Sequence, residues 1–189
     1  GEIKRTKAHV KFGLSPFGIW RPFNPQSIRG LDQYDVLYAD ARRWLNEGWV
    51  DYYSPQLYWP TKQIPQSFPV LLNWWSGQNH QGRHLWPGIN SGRGRDEAGV
   101  DEVLNQIMIT RGMLPASPGV VHWSIGALRD PELIEAVRTG PYRRSALVPA
   151  SPWLDRKAPA PPRVSLSRIY DQLVVGWSHD DADDVFRWV

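Results

Sequence analysis

The chain contains no cysteine. Disulfides, thiolate nucleophiles and cysteine-bound metals are therefore excluded, although export is not. No apolar run approaches the roughly 20 residues that a membrane-crossing helix needs. The opening GEIKRTKAH is charged and polar, unlike a secretory signal. Charge of one sign is scarce: the formal net charge is +3, with 22% charged residues and a pI near 9.3. That balance leans weakly toward anionic partners, and without a long basic stripe no nucleic-acid partner is expected. A phosphate loop, GxxxxGK followed by Ser or Thr, is missing. His9, His80, His84 and His122 are too scattered for a zinc site, so no metal is expected, and no motif requires a cofactor.

Aromatic residues are abundant instead: 11 Trp, 7 Tyr and 5 Phe in 189 residues. Tryptophan fills cores, and it also stacks on the apolar C–H face of a sugar. Four strand-like segments run straight into Trp-, Pro- and Gly-rich loops: GLSPFGIWRP (13–22), DYYSPQLYWP (51–60), HLWPGINSGR (84–93) and VHWSIGAL (121–128). A helix-like segment follows each, which is the rhythm of βα units whose loops line a cleft.

Alternation predicts strands over 8–15, 49–54, 84–87 and 119–124. The 3.6-residue period predicts one amphipathic helix over 31–47, with Asp32 as N-cap, Asp35 three residues on and Gly48 as its stop. Further helices are expected over 66–76, 99–113 and 130–138, the last opened by Asp130 and Pro131. In the helix over 99–113, Val103 and Ile107 share a face with either Leu104 or Met108.

Four such units predict an α/β fold with a parallel sheet, and the length suits the C-terminal half of a (β/α)8 TIM-like barrel. Half a barrel leaves two sheet edges open. A missing N-terminal half, a second copy or a smaller open sheet would each answer that, and self-association through the exposed edges is expected. Composition changes near residue 149, where PASPWLDRKAPAPP reads as a stiff linker over 149–162. RVSLSRIYDQLVVGWS then reads as two strands around a Tyr-Asp turn, and DDADDVFRWV as the start of a third. Residues 163–189 are thus the opening of a truncated β-sandwich-like module.

Glycosidic-bond hydrolysis usually needs two carboxyl groups. The strand ends instead carry Ser15, Ser54, Gln56, Asn90 and Ser124. Asp96 and Glu97, in the loop after the third strand, are the possible acids; a solvated loop that caps the next helix is their alternative role. Asp32 and Asp35 read as helix caps, and Asp51 sits near a strand start. Gln56 and Tyr58 are placed to hydrogen-bond sugar hydroxyls, and Asn90 ends the third strand. Trp20, Trp59 and Trp86 are candidate stacking platforms, with core packing as their rival. Arg93 and Arg95, in GRGRDE, form a flexible basic patch suited to an anionic group, or a solvated loop. The catalytic residues themselves are not identified.

KFGLSPFGIWRP, LYADARRWLNEGWVDYYSPQLYWP, the WW at 74–75, RHLWPGI and LVPASPWLD resemble the glycosyl hydrolase-like ten family. The resemblance covers residues 8 to about 155 and the start of the trailing module. It implies an exported bacterial cell-envelope protein, often lipid-anchored, with a TIM-like barrel and a fibronectin type III-like module behind it. It also implies action on peptidoglycan glycan strands. The family's acidic strand-end motif, Asp-Asp followed by aromatics, lies in the first half of the barrel and is absent here. Residues 1–148 then correspond to the C-terminal half. A substrate-cleft role is implied for Ser15, Phe17, Gln56, Tyr58 and Trp59. The expectation is a glycoside hydrolase incomplete in this chain; the alternatives are a non-catalytic carbohydrate-binding protein and a cell-envelope structural protein.

Overall fold

The computed structural model describes residues 1–92, 99–157 and 160–178. Contacts divide the chain into two units, Gly1–Ser151 and Pro152–Val189, so the division falls inside the proline-rich stretch.

The first unit opens on a short helix, α1 (Glu2–Thr6), which periodicity did not announce. Its Lys4 Nζ lies 2.8 Å from Asp51 Oδ2, and the same oxygen accepts the Phe12 N–H at 2.7 Å. Asp51 therefore secures the start of two strands.

The parallel sheet begins with β1 (Gly13–Leu14), β2 (Tyr52–Tyr53) and β3 (His84–Leu85), hydrogen-bonded in that order. β4 (Gly88–Asn90) continues the line of β3 after Trp86 and Pro87, and pairs in parallel with β5 (Val121–Trp123). Isolated parallel bridges, Phe17 to Gln56 and Gln56 to Gly88, join the two ladders. The four expected strands are thus present in chain order, but shorter than expected. Pro16, Pro55 and Pro87 stand at their C-terminal ends and have no N–H to extend a ladder. Val10 and Phe12, expected in the first strand, precede it and are exposed.

The helix expected over 31–47 is two helices, α2 (Gln33–Val36) and α3 (Ala41–Asn46). Asp40 opens the second by accepting the Arg43 N–H, and Tyr38 between them has φ 51°. The apolar period breaks at the join: Leu37 is exposed and Tyr38 is 92% exposed, while Ala41 and Leu45 beyond it are buried in the core. Asp32 does cap α2 through the Asp35 N–H, and Gly48 follows α3 with φ 66°. Asp35 does not return a capping bond; its carboxylate pairs with Arg21.

α4 (Phe68–Gly77) buries Phe68, Leu71, Leu72 and Trp75, one helical face. α5 (Gly99–Met113) buries Val103 and Ile107; Leu104 packs on the core while Met108 is exposed. α6 (Pro131–Thr139) starts at Asp130, whose carboxylate accepts two N–H groups. These helices and the sheet enclose one core that includes Tyr53, Leu85 and Ile89.

The second unit is an antiparallel hairpin, β6 (Arg163–Ile169) and β7 (Gln172–Ser178), turning at Tyr170 and Asp171 as expected. The expected third strand lies outside the described residues. The described fold is α/β, parallel in the first unit and antiparallel in the second.

Candidate functional site at the strand ends

Register decides which side chains meet. Partners across a parallel bridge share a sheet face, so Phe17, Gln56, Gly88 and Val121 form one row. Asn90 and Trp123 pair two residues further along and sit on the same face. Tyr58, two residues beyond Gln56, stacks on Trp123 with ring centroids 6.3 Å apart and planes 27° apart. The ring lies over Gly88, where an added Cβ would sit 3.3 Å from it. Trp59 meets Phe17 edge-on at 5.5 Å. Val121 and Trp123 are 44% and 61% exposed, so this face is open.

The polar groups are amides and hydroxyls. Gln56 Nε2 donates to the Ser15 carbonyl at 3.2 Å, which fixes the amide. Asn90 Oδ1 accepts the Gly92 N–H at 3.1 Å. Burial pushes the Tyr58 hydroxyl pKa up, so it stays a neutral donor.

Two buried devices hold the loops that carry these groups. Gly18 lies so close to the Gln56 carbonyl that a Cβ would come within 2.2 Å of its oxygen. Gln33 Nε2 donates to the Phe17 and Ile19 carbonyls, and Trp75 Nε1 to the Gly18 carbonyl. The second loop is held from α5. Glu102 accepts the Thr61 N–H at 2.7 Å, the Thr61 hydroxyl at 2.9 Å and Gln106 Nε2 at 2.8 Å. Gln106 also donates to the Trp59 carbonyl.

The structure therefore gathers Phe17, Gln56, Tyr58, Trp59 and Asn90, with Ser15 exposed beside them. It adds Trp123, which sequence reasoning missed although VHWS marks a strand end. It also adds Glu102 and Gln106, whose i, i+4 spacing on an otherwise apolar helix face was the available signal. Trp86 lies one step toward the strand starts, stacked on His84 at 4.9 Å and Tyr52 at 5.4 Å, with Nε1 on Ser117. Trp20 stands apart, stacked on Trp74 and bonded to Asp40. Arg93, Arg95, Asp96 and Glu97 lie outside the described residues.

Among the described residues no carboxylate belongs to this row. Asp32 and Asp35 pair with Arg21, Asp40 and Asp130 cap helices, Asp51 secures strand starts and Glu102 pins a loop. His84 bonds Ser117 and Ser151, and His122 bonds Ser91 and Tyr142. Burial lowers both pKa values, helped at His84 by Lys11 and opposed there by Asp51. No three His, Asp or Glu side chains among the described residues are grouped to hold a metal. No helix among them is long and apolar enough to cross a membrane.

Residues 1–93 match the family model described as Glycosyl hydrolase-like 10. Glycosyl hydrolase YngK of Bacillus subtilis is 36% identical over 176 residues, which cover 86% of this chain and 34% of that protein. Glycosyl hydrolase DigH of Escherichia coli K12 is 42% identical over 78 residues, or 39% of this chain and 18% of that protein. The chain thus spans about a third of the first relative and under a fifth of the second.

Proposed function

We propose that this chain belongs to the glycosyl hydrolase-like 10 family and supplies the substrate-binding half of a glycosidase acting on bacterial cell-wall glycan. Its similarity to two proteins named as glycosyl hydrolases supports a glycosidase-like function. The observation that carries the reading is the open strand-end row of Gln56, Tyr58, Asn90 and Trp123. It offers stacking surface and neutral hydrogen-bonding groups, as a sugar requires.

In this reading residues 1–148 are the C-terminal half of a (β/α)8 TIM-like barrel. Parallel strands in chain order, with β1 and β5 at the edges among the described residues, support it. Residues 149–162 are a linker and 163–189 open a fibronectin type III-like module. The parent works in the cell envelope, exported and lipid-anchored. The reaction is general acid–base cleavage of a glycosidic bond, with the acids in strands outside this chain. Gln56, Tyr58 and Asn90 orient hydroxyls, while Phe17, Trp59 and Trp123 form the apolar walls. Arg93 and Arg95 are the candidates to pair with an anionic sugar.

The test is release of soluble fragments from peptide-free peptidoglycan glycan, read by mass spectrometry, with this chain beside its full-length parent. Cleavage by the parent alone is expected. A second reading, carbohydrate binding without catalysis, is favoured by the absence of a described carboxylate on the row. It would be adopted if the parent binds intact glycan and cleaves none. A purely structural envelope role fits poorly with a tryptophan 61% exposed at a strand end.

A further inference from the structure

A second concave site shares no lining residue with the strand-end row. It is a hollow of about 420 Å3 lined by Trp20, Arg21, Phe23, Asn24, Asp32 and Arg42 among others. Its two arginines differ. Arg21 Nε lies 3.0 Å from Asp32 and its Nη2 2.8 Å from Asp35, so its charge is answered. Burial alone would raise the Asp32 pKa; the Asp35 N–H and Arg21 outweigh that and hold it below the usual carboxylate range. Asp32 is therefore paired, although one guanidinium serves two carboxylates and the Arg21, Asp32 and Asp35 group keeps a net negative charge.

Arg42 has no carboxylate partner among the described residues. Its Nε donates to Gln78 Oε1 at 2.8 Å, and its guanidinium carbon lies 4.9 Å from the centroid of the Trp20 ring. Both partners are neutral and both fix the group. The nearby Asp40 accepts Trp20 Nε1 and the Arg43 N–H, both on Oδ1, and forms no ion pair with Arg42. Nη1 and Nη2 of Arg42 remain as a planar fork at the edge of the hollow, the geometry that pairs bidentately with a carboxylate.

We propose that this hollow is a second glycan site that seats the carboxylate of an acidic sugar on Arg42. Asn24 donates through Nδ2 to the Pro22 carbonyl, which leaves Oδ1 to accept a sugar hydroxyl. Phe23 is 54% exposed and carries Arg29 4.0 Å from its centroid on one face. The exposed part of the ring lines the hollow, where it offers apolar surface to the C–H side of a sugar ring. The sugar half of the inference rests on the glycan reading above; the anion half stands on Arg42 alone.

The test uses the 189-residue chain and calorimetric titration with N-acetylmuramic acid and N-acetylglucosamine, which differ only in the lactyl ether. N-acetylmuramic acid should bind about tenfold more tightly, as one charge-assisted pair warrants. Arg42→Gln should abolish that preference and leave N-acetylglucosamine binding unchanged. Equal binding of the two sugars by the native chain, or a preference that survives Arg42→Gln, overturns the proposal. Free lactate binding as tightly as N-acetylmuramic acid overturns its sugar half. If Arg42→Gln fails to fold, Arg42→Met keeps an unbranched apolar stem at the position and is held to the same outcomes. Trp123→Ala separates the two readings. It should weaken binding of N-acetylglucosamine oligomers and leave the Arg42 preference intact. Unweakened oligomer binding would sink the strand-end reading while the preference still tests this one.

Discussion

On the helix-facing side of the parallel sheet, Tyr53, Leu85 and Ile89 are almost wholly buried and the Tyr53 ring packs on Trp75. On the other side, at the strand ends, Gln56, Tyr58 and Asn90 are half-buried beside an exposed Trp123. The same backbone serves both, because successive side chains of a strand point to opposite faces. One face spends its aromatics on packing and the other presents them to solvent. The composition, rich in tryptophan throughout, does not distinguish these uses; register does.

Paired truncations break or sharpen this contrast most strongly. Trp75→Ala should cost about 3–5 kcal/mol in urea unfolding, the range for a buried aromatic. Trp123→Ala should change stability by no more than about 0.5 kcal/mol yet weaken glycan binding about tenfold or more, as loss of a stacking anchor does. Comparable unfolding costs for the two would erase the distinction.

Glu102 links the faces, since it is buried in α5 but fixes the loop bearing Tyr58 and Trp59. Glu102→Ala strands the Thr61 N–H and one of the two Gln106 amide N–H groups, which should cost about 1–3 kcal/mol. Glycan affinity should fall with it, and Glu102→Gln should recover part of both. Chemical denaturation and titration on the same samples check this; intact affinity in a destabilised Glu102→Ala would show that the loop does not need the anchor.

A smaller effect concerns pH. Burial holds His122 below its ordinary pKa of 6.5. The unfolded chain therefore takes up the proton first, so this contribution is full above 6.5 and is lost as pH falls toward the lower folded value. The melting temperature should drop between about pH 7.5 and about pH 5.5, a window that spans the ordinary histidine pKa. His122→Gln should shrink the drop without abolishing it, because His84 is shifted in the same direction. An equal drop in the variant would remove His122 from the account. Smallest of all, Tyr58→Phe keeps the ring on Trp123 and removes one neutral hydrogen bond. Glycan affinity should fall only about fivefold, as one neutral hydrogen bond of about 1 kcal/mol warrants, and a loss as large as that of Trp123→Ala would mean the hydroxyl matters as much as the stacking.

Much of this was legible in the chain. The four βα units show as alternation, ended by proline in the first three, and α5 runs over the expected 99–113 because its apolar period is real. The helix expected over 31–47 failed because Asp40 caps a new helix and the core never reaches Leu37 or Tyr38. The positions of Gln56, Tyr58 and Asn90 at the strand ends were readable. Trp123 was not, because whether it or His122 faces the open side depends on pairing with Asn90 and Ile89. Glu102 looks like any helix-surface acid until Thr61, 41 residues away in sequence, is folded against it.

The most direct measurement is titration of this chain and its Trp123→Ala variant with uncross-linked, peptide-free glycan strands, followed by mass spectrometry of the glycan. The account predicts binding by the native chain, loss of that binding in the variant and glycan recovered at its original length. Shortened glycan from this chain alone would place the acids within it, and equal binding by the variant would remove the strand-end face as the site.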